Sequence, residues 1–124
     1  MGPNASNKDV SDFLKEFKNH LQNEKFVLVP RDTNLQTITY LGLSITNVKE
    51  ILLGLTPEDY FKGPSKDTQR PEFMVWEFGK NIDGENVYIK LSNNFSCNRA
   101  KCISFHIAAQ EIKYPNASKQ GGAK

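Results

Sequence analysis

The stretch from Phe73 to Ser92, FMVWEFGKNIDGENVYIKLS, contains the signal that decides the fold. It divides into two strand-like runs, Phe73 to Gly79 and Asn86 to Ser92, in which apolar side chains recur at alternate positions. Asp83-Gly84 between the runs is a dipeptide typical of a tight hairpin turn. We therefore predict that the two runs form a β-hairpin.

A third strand-like run follows from Lys101 to Ile107. Because successive side chains of a strand point to opposite faces of a sheet, each run can be sorted into two faces. One face is apolar in all three runs and is expected to pack on helices: Met74, Trp76, Phe78, Val87, Ile89, Leu91, Ile103, Phe105 and Ile107. The second face holds Val75, Glu77, Tyr88, Lys90, Ser92, Cys102, Ser104 and His106.

The first half of the chain has helical patterns. Apolar residues recur at three- and four-residue spacing from Asn7 to Asn23, which predicts an amphipathic helix capped by Ser6 or Asn7. The run from Lys25 to Val29 ends at Pro30 and predicts a strand or extended piece.

Shorter helices are predicted next. The apolar spacing from Leu35 to Leu41 favours a helix stopped by Gly42 in the left-handed conformation. Thr46 is the predicted cap of a third helix. Thr56-Pro57-Glu58-Asp59 is typical of another helix start, and Lys62-Gly63-Pro64 is expected to end that turn.

Helices followed by strands predict an α+β fold, with N-terminal helices packed on one face of a C-terminal antiparallel sheet. Residues 1–115 are predicted to form a single domain. The polar, proline-flanked residues 64–72 predict a mobile surface loop, and residues 116–124 have the composition of a disordered tail.

The composition limits the function classes. The chain has 124 residues and a net charge of +2, which excludes a histone-like protein that binds nucleic acid by bulk positive charge. The mean hydropathy of -0.54 and the absence of a long apolar run predict no transmembrane helix and no membrane partner. No signal-peptide pattern is apparent, so a cytoplasmic protein with two reduced cysteines is expected.

Candidate chemistry gathers on the second face of the predicted sheet. Glu77, Tyr88, Lys90, Ser104 and His106 combine an acid, a phenol, an ammonium, a hydroxyl and an imidazole. Such a set can transfer protons, with His106 as the strongest single candidate. The same set can equally be an ordinary solvated face, with Lys62 and Lys90 as surface lysines and Tyr88 as a cross-strand packing residue.

A family resemblance bears on this choice. The motifs TPEDYFKGP, VWEFGK, VYIKL, ISFH and KYP, in this order between about Phe26 and Pro115, resemble the motility quorum-sensing regulator (MqsR) family of type II toxins. These toxins are mRNA interferases with a fold like RelE and YoeB. The resemblance implies metal-independent, ribosome-independent cleavage of single-stranded mRNA, no cofactor, a protein antitoxin as partner and a prokaryotic source.

The resemblance also implies site residues. Lys62 and Tyr88 match positions of the family's site. Glu77 stands where the best-known members have glutamine, and His106 stands where they have lysine. The implied reaction is transesterification by the ribose 2′-hydroxyl, with Glu77 or His106 as the base, His106 as the better acid, and Lys62 and Lys90 stabilising the phosphorane.

Other functions remain open from the residues alone. A non-catalytic RNA- or protein-binding module would use the same polar face as a platform. A small-molecule enzyme is disfavoured because the chain lacks a glycine-rich phosphate loop and a nucleophile elbow. A zinc site of Cys97, Cys102 and His106 is disfavoured because four residues of a regular strand separate the last two by about 13 Å.

Overall fold

A helical layer and one β-sheet make up the computed structural model, which describes residues 5–23, 25–67, 74–94 and 99–116. The elements in chain order are helix α1 (Asn7–Gln22), strand β1 (Phe26–Leu28), helix α2 (Asp32–Leu41), helix α3 (Ile45–Leu53), a 3-10 turn (Pro57–Asp59), and strands β2 (Tyr60–Lys66), β3 (Met74–Ile82), β4 (Glu85–Asn94) and β5 (Arg99–Ile107). The α+β class is therefore confirmed. No helix within these ranges is long and apolar enough to cross a membrane.

The sheet has the strand order β1-β5-β4-β3-β2. The β2–β3, β3–β4 and β4–β5 pairs are antiparallel, whereas β1 and β5 are parallel. The prediction of a purely antiparallel sheet is therefore wrong at one edge. Because the helices lie between β1 and the other strands in sequence, β1 can join the sheet in the parallel direction through a long crossover.

Of three predicted helix ends, two are confirmed and one is wrong. Ser6 caps α1, and Gly42 ends α2 with φ of 69°. The cap of α3 is Ser44 and not Thr46. The Ser44 hydroxyl accepts from the Asn47 backbone N–H, and the Asn47 side chain accepts from the Ser44 N–H, so this reciprocal pair starts the helix two residues earlier.

The predicted helix start at Thr56 forms only a short 3-10 turn. Its capping box is present, because Asp59 Oδ2 accepts from the Thr56 backbone N–H at 2.9 Å. The chain then passes directly into β2, so the prediction that Lys62 ends a helical turn outside the sheet is wrong. The predicted loop over 64–72 begins instead as strand; residues 68–72, like 117–124 of the predicted tail, lie outside the described residues.

Strand β2 has two irregularities that set the direction of Lys62. Tyr60 lies opposite Phe78, Lys62 opposite Glu77 and Ser65 opposite Val75, so β2 inserts an extra residue twice. Gly63 has φ of 116°, and a Cβ there would lie 2.8 Å from the carbonyl oxygen of Val75. The buried Tyr60 hydroxyl donates to the Gly63 carbonyl and accepts from the Ala5 N–H, which fixes this irregular segment.

Strand β5 contains a third irregularity, which overturns part of the predicted sorting of faces. Ser104 lies opposite Lys90, but Cys102 lies opposite Leu91, so Ile103 is an extra residue. The regular alternation is therefore broken at Ile103. Cys102, predicted on the polar face, is fully buried in the core, and Ile103, predicted in the core, is only partly buried.

The core lies between α1, α3 and the apolar face of the sheet. The five stripe residues of α1 and the β3–β5 residues that alternate with the polar face are buried: Val10, Phe13, Leu14, Phe17, Leu21, Phe78, Val87, Ile89, Leu91 and Phe105. Met74 departs from the prediction, since it is 40% exposed. It lines a groove beside α1 with Trp76 and Pro64, where the apolar face extends past the helix.

Helix α2 hydrogen-bonds the edge of β5 beyond the last β1 pair. The fully buried Asn34 donates from Nδ2 to the carbonyl oxygens of Val29 and Ile103, at 2.9 and 3.0 Å. Its Oδ1 accepts from the Phe105 N–H at 2.9 Å. Thr37, one turn later, accepts from the Ile107 N–H. These side chains take the place of a neighbouring strand and protect the edge of the sheet.

Replacing Asn34 by Ala is expected to lower the free energy of unfolding by about 2–4 kcal/mol, because the substitution leaves the Phe105 N–H buried without a partner and leaves the Ile103 carbonyl with only the long contact to Arg31 Nη1 at 3.5 Å. Urea unfolding followed by circular dichroism measures the change. Gln36→Ala on the exposed side of the same helix is the control and should stay within about 0.5 kcal/mol of wild type. A loss at Asn34 as small as that of the control would show that α2 does not hold the bulge.

Candidate active site

Polar side chains from four strands form a row across the sheet. Lys62 of β2, Glu77 of β3, Lys90 of β4 and Ser104 of β5 lie opposite one another in register. Directly opposite residues share one face of a sheet, so these four side chains lie on one surface. We call them the cation row, because a lysine flanks Glu77 on each side.

A second row lies immediately beside the first. Gly79, Tyr88 and His106 are opposite one another on β3, β4 and β5. The Tyr88 and His106 rings are 5.3 Å apart between centroids and inclined by 40°. The Tyr88 hydroxyl crosses diagonally to the first row and donates to Glu77 Oε1 at 2.6 Å. The two rows therefore form a single connected site.

Glu77 is the most buried charged side chain of the site, with 8% exposure. Buried carboxylates require hydrogen-bond donors or nearby positive charge. Tyr88 supplies a short hydrogen bond, and the register brings the stems of Lys62 and Lys90 alongside from both neighbouring strands. This position on a central strand fixes the carboxylate in place.

The phenol of Tyr88 is held in its protonated form. Burial raises its pKa well above the ordinary value, and the hydrogen bond to Glu77 and the charge of Glu77 raise the pKa further. The positive charge of Arg31 acts in the opposite direction. Tyr88 is therefore a hydrogen-bond donor over the whole physiological pH range, and it is not a proton acceptor.

One ring nitrogen of His106 is hydrogen-bonded to the backbone. Nδ1 lies 3.0 Å from the carbonyl oxygen of Ile107. A carbonyl oxygen only accepts, so Nδ1 carries the proton in this hydrogen bond. In the neutral ring the lone pair is then on Nε2, which is the nitrogen that can take a proton from another group. The half-buried ring lines open pockets on two sides.

Two residues of the site were missed from the sequence. Arg31 donates from Nη1 to the Ser104 hydroxyl at 3.1 Å and so adds a third positive charge at the end of the cation row. Phe61 lines a pocket together with Tyr88 and His106, and the Lys62 ammonium lies 5.3 Å from its ring centre. Phe61 stood next to a predicted site residue, but Arg31 had no local signal, since 73 positions separate it from Ser104.

The structure brings all five predicted site residues onto one face: Lys62, Glu77, Tyr88, Lys90 and His106. A zinc site that includes both Cys102 and His106 is wrong, because Cys102 lies in the core and His106 lies on the opposite face of the sheet. Cys97 is outside the described residues. Among the residues that the structure describes, no three His, Cys, Asp or Glu side chains are grouped as they would be around a metal ion.

Comparison with known proteins gives no relative from which a function can be transferred. No protein-family model matches the chain, and no curated protein matches its sequence. A proposed reaction must therefore come from the chemistry of the site. That chemistry is a buried carboxylate, a neutral phenol, an imidazole with an available nitrogen and nearby cations.

Replacing Tyr88 by Phe is expected to lower stability at pH 7 by about 1–2 kcal/mol, because Glu77 loses its donor. The raised pKa adds a pH dependence. Above an ordinary tyrosine pKa of about 10 the unfolded chain loses the phenolic proton before the folded protein does, so wild type loses stability as pH rises. The Phe variant lacks this contribution and should lose less stability between about pH 9 and pH 11.

Urea unfolding at a series of pH values measures both effects. Tyr40→Phe is the control, because Tyr40 on α2 is exposed and its hydroxyl also donates to a carboxylate, Glu85 Oε2 at 3.2 Å, but at the surface. Its unfolding curves should follow those of wild type at each pH. Parallel pH profiles for wild type and Tyr88→Phe would contradict the assignment of a shifted phenol at position 88.

Proposed function

We propose that the protein is an endoribonuclease that cleaves single-stranded RNA by transesterification without a metal ion. The ribose 2′-oxygen forms a bond to the adjacent phosphorus while the bond from phosphorus to the 5′-oxygen breaks. A base takes the 2′-hydroxyl proton, and an acid gives a proton to the departing 5′-oxygen. The products are a 2′,3′-cyclic phosphate and a 5′-hydroxyl.

The observation that carries the proposal is the placement of Glu77 and His106 on either side of Tyr88. The carboxylate of Glu77 and the imidazole of His106 lie in adjacent rows, joined by the Tyr88 contacts to Glu77 Oε1 and to the His106 ring. In the proposed arrangement protonated His106 is the acid and Glu77 is the base. Tyr88 holds the carboxylate and donates no proton to the reaction.

The surrounding cations fit the charge that develops during the reaction. The phosphorane carries more negative charge than the phosphodiester, so fixed positive charges stabilise it preferentially. Lys62 and Lys90 flank Glu77, and Arg31 is fixed by its hydrogen bond to Ser104. Arginine can contact two phosphate oxygens at once, which suits the orientation of the scissile group.

We further propose that this activity is that of a type II toxin acting on mRNA, neutralised by a cognate protein antitoxin. The ordered motifs from TPEDYFKGP to KYP, which resemble the MqsR family of toxins, support this assignment. The RelE-like fold implied by the same resemblance and a cytoplasmic location belong to the proposal. An antitoxin would abolish cleavage by covering the face that bears the two rows.

A non-catalytic RNA-binding module is the second candidate. The low exposure of Glu77 and its hydrogen bond to Tyr88 favour this alternative, because both reduce the availability of the carboxylate as a base. The cation row and Phe61 would then bind phosphates and stack on a base without cleaving the strand. Cleavage by the purified protein separates the two functions.

Purified protein is expected to cleave single-stranded RNA in excess EDTA and to leave 2′,3′-cyclic phosphate and 5′-hydroxyl ends. His106→Ala and Glu77→Gln should each lower kcat by roughly 100-fold or more, because each removes a proton-transfer group. Mass spectrometry of the products identifies the ends, and gel analysis gives the rates. RNA with a 2′-deoxy substitution at the cleaved position should not react.

The chain provides matched controls for this experiment. His20 is the other histidine, and it lies on α1. Lys66 is exposed on β2 four positions from Lys62. His20→Ala and Lys66→Ala should keep wild-type activity, whereas Lys62→Ala should lower it. Products with 5′-phosphate ends, or binding of RNA without cleavage, would rule out the proposed reaction.

Expression of the wild-type protein in a bacterial host is expected to arrest growth, because mRNA cleavage stops translation. Tyr88→Ala and His106→Ala should restore growth at equal levels of soluble protein, and His20→Ala should not. Growth curves after induction, with immunoblots of the soluble fraction, give the comparison. Arrest by both site variants at wild-type strength would show that toxicity does not come from this site.

A further inference from the structure

The chain after β5 folds back over the polar face of the sheet. Gly79 makes this possible, because a Cβ at its position would lie 2.7 Å from Cδ1 of Ile112 and 2.6 Å from the Tyr114 hydroxyl oxygen. Ile112 is only 8% exposed, although it lies in a segment without regular structure. The missing side chain in the second row thus lets the returning segment lie directly on β3.

This return of the chain creates an open pocket of about 210 Å³ beside the reacting groups. It is lined by Phe61, Tyr88 and His106 of the sheet and by residues 108–112 of the returning segment. The segment contributes two alanines and Ile112 to the lining. The exposed side chains of Gln110 and Glu111 add an amide and a carboxylate.

We propose that this pocket is a nucleobase subsite, which receives the base of a nucleotide next to the scissile phosphate. The inference rests on the proposed function and deepens it. His106 belongs both to the pocket and to the reacting groups, and Tyr88 in the lining hydrogen-bonds Glu77, so a base in the pocket is within one nucleotide of the cleaved bond. Phe61 contributes an aromatic ring to the lining, with the Lys62 ammonium 5.3 Å from its centre, and Gln110 and Glu111 add an amide and a carboxylate that can bind the polar edge of a base.

The distribution of charge determines which part of the nucleotide enters. Among the residues that the structure describes, no lysine or arginine belongs to the pocket lining, although the Lys62 ammonium lies 5.3 Å from the Phe61 ring centre, and Glu111 in the lining repels a phosphate. The cationic side chains of Lys62, Lys90 and Arg31 lie instead along the neighbouring row. A phosphodiester is therefore attracted to the cation row, and the uncharged planar base is directed to the apolar pocket.

The size of the pocket agrees with a single base. Pockets for whole drug-sized ligands have volumes of about 300–1,000 Å³, and this one has about 210 Å³. The pocket therefore has room for one planar ring system but not for a complete nucleotide. The proposal also accounts for Phe61, an aromatic side chain that is only partly buried on an edge strand and takes no part in proton transfer.

The experiment measures base preference as well as rate. Wild type is expected to favour one base beside the cleaved bond when a mixed-sequence RNA is mapped by primer extension. Phe61→Leu keeps apolar bulk but loses the stacking surface, so it should lower kcat/KM roughly ten-fold and flatten the preference. Phe61→Tyr keeps the aromatic ring and should retain both. Ala109→Trp should lower kcat/KM by obstructing the pocket.

A binding measurement separates failure of this inference from failure of the proposed function. The four nucleoside 3′-monophosphates are titrated into wild type and Phe61→Leu, with folding of each variant checked by urea unfolding. If wild type cleaves RNA but Phe61→Leu keeps the same base preference, the subsite is overturned and the nuclease remains. If wild type does not cleave RNA, the proposed function is wrong. The subsite is then supported only if wild type binds one monophosphate more tightly than the others and Phe61→Leu loses this preference.

Discussion

The hydrogen bonds of one buried asparagine determine on which face of the sheet the side chains of β5 lie. Before Ile103, Ala100 and Cys102 point into the core; after it, Phe105 does, and Ser104 and His106 point to the opposite face. The single extra residue causes this change, and Asn34 fixes it by binding the Ile103 carbonyl and the Phe105 N–H. Without the bulge, the alternation that buries Cys102 would direct His106 into the core, and the second row would lose its imidazole.

The other edge of the site follows the same principle. One extra residue of β2 before Lys62 brings it opposite Glu77, a second follows Lys62, and the Tyr60 hydroxyl fixes the segment through the Gly63 carbonyl. The described parts of β3 and β4 pair without a register shift and present Glu77, Tyr88 and Lys90 by simple alternation. The site therefore lies on two regular central strands and two bulged neighbouring strands. The regular strands hold their side chains by simple alternation, and each bulge turns single side chains toward the site.

The difference between regular and bulged strands explains which features the sequence could predict. The α1 stripe, the stop at Gly42, the Asp83-Gly84 hairpin and the faces of Glu77, Tyr88 and Lys90 all follow local rules of period or turn chemistry, and the structure agrees with them. The errors at Cys102 and Ile103 occur where a bulge breaks the alternation, and the error at Lys62 occurs where the predicted helix forms only a 3-10 turn before β2. Bulges have weak local signals, and their stabilising partners are distant: Asn34 acts on β5 across about 70 positions, and Arg31 reaches the site only through the parallel β1–β5 pair.

Gly79 links the packing of the chain after β5 to the exposure of the candidate site. A side chain at this position would have completed the second row, but it would have blocked the returning segment from lying on the sheet. Because Gly79 has only a hydrogen in place of a side chain, Ile112 covers β3 and adds buried apolar area, which favours folding. The segment stops short of Tyr88 and His106, which remain half-exposed beside the pocket. The returning segment therefore covers Gly79 and leaves the phenol and the imidazole accessible from the pocket.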